Sequence, residues 1–268
     1  MRKILLTFGA GRTGWQKASR RLLHEGISSG LFDSQVRLDR NWLYSNYPEI
    51  VKVVELLHSQ KKFRGFGYWV WKPAVLHWGQ EQFPNDQIVY IDAGSHIRSE
   101  EKFRKSFGDS LQRAEKYGSL AWNLPHHSER QWTKLEAINL LKSPQSHLDS
   151  NQIQSGFISL MPSRSRVDFI GEYREISMLR SGFYFTDDLE LRQRQEFIEH
   201  RHDQSILSLL WKKHDLYSEI DQTTPLISNT FGLIASRNNT SLPYGSSVKK
   251  LQSRRYIDLC IDKILKRK

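Results

Sequence analysis

Short apolar runs alternate with amphipathic segments along most of the chain. Five runs have the length and composition of buried strands, at residues 3–8, 34–39, 87–91, 118–124 and 152–161. The segments between and after them have helical spacing of apolar residues or helix-start signals, at residues 13–25, 46–60, 74–82, 99–117, 130–142, 164–180 and 188–213. Because strands and helices alternate, the pattern predicts an α/β fold with a mostly parallel sheet.

We expect residues 1–245 to form one domain and residues 246–268 to form a basic helical tail. At 268 residues the chain is long enough for one large domain, and its 38% hydrophobic and 12% aromatic residues argue against disorder. No apolar stretch approaches the ~20 residues of a membrane span, and the apolar part of the N-terminus is too short for a signal peptide. Cys260 is the only cysteine, which fits a reducing compartment. The sequence therefore predicts a cytoplasmic protein.

The net charge of +11 indicates an anionic partner: nucleic acid, a membrane surface or a phosphorylated substrate. The densest basic block is the tail, "KKLQSRRYIDLCIDKILKRK" at 249–268. As an amphipathic helix, it would either contact the anionic inner face of the plasma membrane or pack on the domain with a solvated basic face. No zinc-finger or RNP-type motif accompanies the charge, so we expect no nucleic-acid partner. A nucleic-acid-binding role stays an alternative on charge alone.

The stretch "YIDAG" at 90–94 places a carboxylate directly after a buried strand. In open α/β sheets, ligands bind beyond the carboxyl ends of the strands, so Asp92 is a candidate for ligand contact, with a turn cap as the alternative. Gly94 has no side chain and lets a ligand approach the backbone. Lys72 stands at the start of a helix, where anions bind, and together with Arg64 it is a candidate for holding a phosphate group.

Three further stretches carry chemistry that a structural role would also explain. The aromatic residues of "RGFGYWVWKP" at 64–73 would form either a platform for a sugar or base, or part of the core. Asp203, in "EHRHDQS", would either cap a helix or act as a catalytic carboxylate. In "HHSERQWTK", Trp132 can stack on a sugar and Lys134 can bind an anion, or both lie on the solvated face of a helix start.

The stretch from Trp71 to Gly94 resembles the core of GT-A-type glycosyltransferases. Its predicted order is a helix, a turn, a buried strand and then Asp-x-Gly. In the glycogenin and lipopolysaccharide galactosyltransferase group, such a strand ends in a DxD motif. The segments "LLTF" at 5–8, "QSGFISLM" at 154–161 and "HDQSILSLL" at 202–210 resemble further family segments in the same order. The chain is similar also to bacterial glycosyltransferases of surface polysaccharide synthesis with "GYGYWIWKP", "YLDAG" and "HRHDQS" strings.

The resemblance implies a GT-A-like, Rossmann-type fold with a mostly parallel sheet and flanking helices. It implies transfer of a sugar from a nucleotide-diphosphate donor to a saccharide or lipid-linked acceptor. By this resemblance Asp203 and Gln204 would face the reacting carbon, and Trp132 and Lys134 would bind the acceptor. The donor-binding residues would be Thr7, Arg64, Lys72, Asp92, Gly94, Gln154, Ser155 and Gly156.

The place of a metal ion is the main departure from the family pattern. A DxD motif binds Mn²⁺ or Mg²⁺ through two carboxylates, and the ion neutralises the donor diphosphate. Here Gly94 stands where the second carboxylate would be, so a divalent cation is in doubt. Either His96 replaces the missing ligand beside Asp92, or basic residues neutralise the diphosphate in place of the cation.

A second enzymatic reading comes from "GAGRTG" at 9–14. It matches the GxGxxG pattern after a strand, and Asp39 ends the next strand, which is the outline of an NAD(P)-binding oxidoreductase. However, Trp15 stands where close packing of the helix on the strand requires a small residue. We therefore rank this alternative below the glycosyltransferase.

Overall fold

The computed structural model of the chain describes residues 1–223, 231–236 and 240. The strands are β1 (Lys3–Gly9), β2 (Ser34–Asp39), β3 (Gln87–Ile91), β4 (His96–Ile97), β5 (Ser119–Ser128), β6 (Asn151–Leu160), β7 (Ser218–Ile220) and β8 (Leu233–Ile234). The helices are α1 (Thr13–Ser29), α2 (Arg40–Asn46), α3 (Pro48–Ser59), α4 (Gly65–Tyr68), α5 (Lys72–Gln82), α6 (Glu101–Tyr117), α7 (Glu129–Trp132), α8 (Leu135–Leu141), α9 (Gln145–Leu148), α10 (Arg164–Met178) and α11 (Asp203–Lys213). A 3-10 segment covers Leu179–Phe185.

Six strands form one sheet in the order β2-β1-β3-β6-β5-β7. Strand β1 is parallel to β2 and β3, and β5 is parallel to β7, whereas β6 runs antiparallel to both of its neighbours. The predicted α/β fold with a mostly parallel sheet is confirmed. Strands β4 and β8 form a separate antiparallel pair beside the carboxyl end of β3.

The central strands are buried on both faces, which explains why they are continuous apolar runs. In β3, Val89 and Ile91 pack into the core layer that contains Phe107 of α6. Ile88 and Tyr90 belong to the opposite layer, which includes α3, α5, α10 and α11. Helices thus cover both faces of the sheet, and the carboxyl end of β3 lies between the two layers.

Two predicted helices differ from the structure. The segment 130–142 is divided into α7 and α8, because Thr133 and Lys134 have extended backbones and the Lys134 amide donates to His200 Nδ1 at 3.3 Å. The prediction for 188–213 is wrong in its first half, since α11 begins only at Asp203. Residue His202 has φ 55° and ψ −125°, which no helix accommodates.

The predicted tail and the domain boundary at residue 245 lie outside the described residues. Within the described ranges, no helix has the length and apolar composition needed to cross a lipid bilayer.

Candidate functional site

The site is built around Asp92, the residue after β3. The backbone N–H of Asp92 donates to the carbonyl of Gly156 on β6 at 2.9 Å, so the two strands hold the residue at the carboxyl end of β3. A Cβ on Gly156 would lie 3.3 Å from Asp92 Oδ2, which is tighter than an ordinary contact. Glycine at this position therefore leaves room for the Asp92 carboxylate.

Lys72 connects Asp92 to two other predicted site residues. Its Nζ lies 2.6 Å from Asp203 Oδ2 and 3.3 Å from Asp92 Oδ1. The same ammonium group donates to the carbonyl and to the hydroxyl of Ser155, each at 3.1 Å. Because Lys72 is only 1% exposed and its protons point to these oxygens, it does not present a cation to a diphosphate. The expectation of a direct phosphate contact is corrected: Lys72 holds the two aspartates in position.

Burial and charge set the protonation of this cluster. Burial lowers the pKa of Lys72, but the charges of Asp203 and Asp92 outweigh it, so the pKa of Lys72 is raised and the ammonium is retained. Burial also raises the pKa of Asp203, and the charge of Asp92 adds to that rise while Lys72 opposes it. Two carboxylates thus share one buried cation, and the cluster has a formal net charge of −1.

Two tyrosines that the sequence shows only as core residues complete the cluster. Tyr90 Oη donates to Asp92 Oδ1 at 2.6 Å, and Tyr173 Oη donates to the backbone carbonyl of Asp203 at 3.1 Å. Burial, reinforced by the aspartate charges, raises the pKa of both phenols well above the ordinary value. Both hydroxyls therefore stay protonated and act as donors, Tyr90 to the carboxylate of Asp92 and Tyr173 to the backbone of Asp203.

The loop after β3 is held by residues far away in the sequence. Arg21 of α1 donates to the carbonyls of Ala93 at 2.9 Å and Ser95 at 2.8 Å. Ser236 donates its hydroxyl to the carbonyl of Gly94 at 2.8 Å. Gly94 is consequently buried by the protein's own chain, at the position where the sequence predicts an approach to the donor.

His96 does not join Asp92 in a metal site. The ring is fully buried, and its Nδ1 lies 2.8 Å from Glu25 Oε1 and beside the Arg21 guanidinium. Burial lowers its pKa despite the opposing effect of Glu25. In the part of the chain that the structure describes, no group of three His, Cys, Asp or Glu side chains could hold a metal ion. The expectation that His96 is a metal ligand is therefore corrected.

Non-glycine residues with positive φ occur in two segments of the chain, one before Lys72 and one before Asp203. Phe66, Tyr68 and Trp69 have φ of 56°, 53° and 59°, and His202 has φ of 55°. Each such non-glycine residue costs about 1–3 kcal/mol, and strain of this kind concentrates at functional sites. Asp203 directly follows His202, and Lys72 comes three residues after Trp69, so the strain lies next to the charged cluster.

The fold itself has known counterparts. No model of a protein family matches the chain, and no curated protein matches its sequence. Among solved structures, a glycosyltransferase involved in the glycosylation of the major capsid of PBCV-1 is similar over 94% of this chain and 100% of its own, with a TM-score of 0.51 and 8% sequence identity. The chain shares the fold of a glycosyltransferase.

A second solved structure, mouse xyloside xylosyltransferase 1 in its apo form, is similar over 91% of this chain and 100% of its own. Its TM-score is 0.45 and its sequence identity 11%. The first of these two structures confirms the resemblance to glycosyltransferases at the level of the fold.

The remaining donor candidates are divided between the site and its surroundings. Gln154 precedes the Ser155–Gly156 pair on β6, and its amide donates to Thr223 Oγ1 at 3.3 Å. Thr7 is fully buried in β1 and is therefore not open to a ligand, and its hydroxyl has no hydrogen-bond partner among the residues that the structure describes. Arg64 is half-exposed and lies 3.6 Å from Asp187, in a second group of charged residues rather than at Lys72.

The predicted acceptor residues have different environments. Trp132 is partly exposed, with the Arg201 guanidinium 4.4 Å from its ring centroid. Lys134 is fully buried, and its Nζ donates to the carbonyls of Phe183, Thr186 and Asp188. Burial lowers the pKa of Lys134 to about 8. Its expected contact with an acceptor anion is therefore wrong, because the amine holds the 183–188 backbone together.

Gln204, the second predicted catalytic residue, is oriented by its neighbour on β6. Its Nε2 donates to Gln152 Oε1 at 2.7 Å, and Gln152 in turn donates to the carbonyl of Trp132. Gln204 is thus part of a polar network that begins at the residue after Asp203.

The glycine-rich segment 9–14 has a structural explanation. A Cβ on Gly9 would lie 2.2 Å from Ser19 Oγ, so glycine permits α1 to pack closely on β1. Asp39 accepts from the Trp42 amide at 3.2 Å as the N-cap of α2, and it pairs with Arg37 at 2.8 Å. Both features of the oxidoreductase alternative are thereby accounted for by packing and capping.

Proposed function

We propose that the protein is a glycosyltransferase that moves a sugar from a nucleotide-diphosphate donor to a saccharide or lipid-linked acceptor. The observation that carries this proposal is the Lys72–Asp92–Asp203 cluster at the carboxyl end of β3, within a fold shared with a glycosyltransferase. Ligands bind at this edge of open α/β sheets. Of the two carboxylates, Asp92 has the more open side chain, at 37% exposure against 6% for Asp203.

The charge balance of the cluster argues for a cation that arrives with the donor. A formal net charge of −1 repels a diphosphate, and Lys72 is already bound by protein oxygens. Asp92 Oδ2 accepts no hydrogen bond from any residue that the structure describes. Mg²⁺ is commonly held by one or two carboxylates together with substrate phosphates, which fits a single contact at Asp92. The ion would neutralise the diphosphate leaving group.

The protein's own residues then act as a fixed frame. Lys72 and Tyr90 orient the Asp92 carboxylate toward the donor, while Ser155 and Gly156 border the space in front of it. Asp203, ion-paired and buried, would lie behind the donor sugar and supply negative charge near the carbon that becomes cationic in the transition state. Lys72 acts through the two aspartates and is therefore a positioning residue.

Cell-surface polysaccharide synthesis in bacteria, at the cytoplasmic face of the plasma membrane, is the setting we propose. It rests on the sequence resemblance and on the basic composition of the chain, whose net charge is +11. The tail at 249–268 would contact anionic lipids there, which would bring the site to a lipid-linked acceptor.

A thermal-shift screen of nucleoside diphosphates and nucleotide sugars, each with Mn²⁺ or with EDTA, tests the donor. A nucleotide at about 100 times its Kd stabilises the folded state by about 2.7 kcal/mol. We expect one nucleotide class to raise the Tm, more with Mn²⁺ than with EDTA, in the wild type and in Asp168→Ala but not in Asp92→Ala. Asp168 is a half-exposed aspartate paired with Arg164 on α10, which makes it a matched control. A wild-type Tm that no nucleotide changes would refute the proposal.

A further inference from the structure

A second cluster of charged and aromatic side chains lies next to the first. Asp187 Oδ2 accepts from Tyr68 Oη at 2.8 Å. Its Oδ1 lies 3.6 Å from Arg64 Nη1 and 3.6 Å from His202 Nε2, beyond hydrogen-bond distance in both cases. In this group of residues, the Asp187 cluster, the Asp187 and Arg64 side chains are each 49% exposed, whereas Tyr68 and His202 are buried behind them.

The hydrogen bonds of His202 fix which ring nitrogen carries the proton. The Nδ1 atom lies 3.0 Å from the carbonyl of Phe185, and a carbonyl can only accept, so Nδ1 is the protonated nitrogen. Burial lowers the pKa of His202 to about 4, although Asp187 opposes this, and the imidazole is neutral at pH 7. Its Nε2 is therefore an acceptor, and no described residue donates a hydrogen bond to it.

The orientation of this acceptor is enforced. The His202 ring stacks on Trp69 with a centroid distance of 5.6 Å and an interplanar angle of 18°, and it meets Tyr68 edge-on at 5.0 Å. All three residues have left-handed φ values. His202 is 4% exposed, and a buried acceptor without a donor costs about 1–3 kcal/mol. The protein thus maintains an unsatisfied nitrogen beside an exposed carboxylate at an energetic cost.

We propose that the Asp187 cluster binds a sugar hydroxyl pair of the acceptor substrate, one hydroxyl donating to His202 Nε2 and its neighbour donating to Asp187 Oδ1 while accepting from Arg64. Calling the sugar the acceptor rests on the proposed function, whereas the saccharide contact itself does not. A vicinal diol matches the arrangement because each hydroxyl both donates and accepts. His202 directly precedes Asp203, and the Lys72 amide donates to the Trp69 carbonyl at 2.9 Å, so the diol would lie beside the donor site.

Saturation-transfer NMR with the full chain tests this site, with the methyl glycosides of glucose, galactose, mannose and N-acetylglucosamine as probes. We expect at least one glycoside to give transfer signals with the wild type and to shift the His202 Nε2 resonance. Asp187→Asn should weaken that binding about tenfold or more, because the amide donates to His202 Nε2 and occupies it. Asp168→Asn, a matched exposed aspartate paired with arginine, should bind as the wild type does.

Two outcomes overturn the inference: no glycoside binds the wild type, or Asp187→Asn binds as tightly as Asp168→Asn. Should Asp187→Asn fail to fold, Arg64→Gln serves instead, because Arg64 is 49% exposed and its loss should weaken glycoside binding in the same assay. The thermal-shift screen with nucleotides separates the two proposals. Nucleotide binding without glycoside binding refutes only the acceptor site, and glycoside binding without nucleotide binding refutes only the proposed donor chemistry.

Discussion

Removing the Lys72 ammonium provides the sharpest test of the cluster. Lys72→Met keeps much of the length of the side chain but leaves Asp203 buried with no cation at 2.6 Å. Breaking a buried ion pair from one side costs about 3–5 kcal/mol, because the remaining charge is uncompensated. Against the ordinary 5–15 kcal/mol of a folded domain, this is a large fraction of the total.

A double-mutant cycle separates this effect from lost packing. In Lys72→Met/Asp203→Asn neither buried charge remains, so the double variant should be more stable than Lys72→Met alone. We expect a coupling energy of about 2–3 kcal/mol between the two positions, measured by urea unfolding at pH 7. Asp92→Asn in place of Asp203→Asn should give a smaller coupling, since Asp92 lies farther from Nζ, at 3.3 Å, and is more exposed.

The pH dependence supplies an independent check. Without Lys72, burial and the charge of Asp92 both raise the pKa of Asp203, which is already raised in the folded protein, and the opposing charge of the lysine is gone. A carboxyl whose folded pKa exceeds its unfolded value destabilises the fold above the folded pKa, and the loss shrinks as the pH falls toward the unfolded value of about 3.9. The destabilisation by Lys72→Met should therefore be smaller at pH 5 than at pH 7. Two results would refute the description of Lys72 as a cation shared by the two aspartates. One is that the effects of Lys72→Met and Asp203→Asn on stability are additive, and the other is that the destabilisation by Lys72→Met does not depend on pH.

Three further predictions concern single positions. Gly156→Ala places a methyl group 3.3 Å from Asp92 Oδ2 and should weaken nucleotide binding about tenfold in thermal-shift titrations. The control is Gly171→Ala, in open space on α10, which should leave nucleotide binding unchanged and stabilise the fold by about 0.5–1 kcal/mol. Gly9→Ala brings a methyl group to 2.2 Å from a hydroxyl of α1 and should destabilise the protein by about 1–3 kcal/mol in urea; a neutral effect would show that α1 shifts freely. The pKa of His202 is about 4 in the folded protein and near 6.5 in the unfolded chain, so the unfolded chain takes up the proton at a higher pH than the folded protein does. The free energy of unfolding should therefore fall by about 3 kcal/mol from pH 6.5 to pH 4. His202→Asn should remove that part of the pH profile, and an unchanged profile would contradict the lowered pKa of His202.

The sequence predicted the strands well because their apolar runs are local signals. Residue Asp92 could be singled out in the same way, since it directly follows the β3 run. Lys72 and Asp203 were each candidates, but their contact spans 131 residues of chain and leaves no periodic trace in the sequence. Local patterns therefore identified the individual residues of the site but not the ion pairs between them. For this reason Lys72 was expected to contact a phosphate group.

The predicted helix over residues 188–202, before α11, was the largest error of the sequence analysis. Residues 188–202 have helix-compatible spacing, yet tertiary contacts override it, among them the Lys134 amine on the carbonyls of 183–188 and the bond from His202 to Phe185. A lysine in a polar stretch indicates solvent exposure in any single-sequence analysis. Neither its burial nor the left-handed His202 backbone has a local signal, so the Asp187 cluster could not have been found from sequence.

The covering of Gly94 by Ser236 imposes an order of assembly during protein synthesis. The two residues are 142 positions apart, and at about 5–20 residues per second the ribosome needs roughly 7–28 s to make the intervening chain. Both aspartates, Lys72 and β6 are made before the segment 231–236 that covers the loop and pairs β8 with β4. On the nascent chain, the acidic cluster can therefore form while its loop is still open, and the loop is covered only after residues 231–236 have been made.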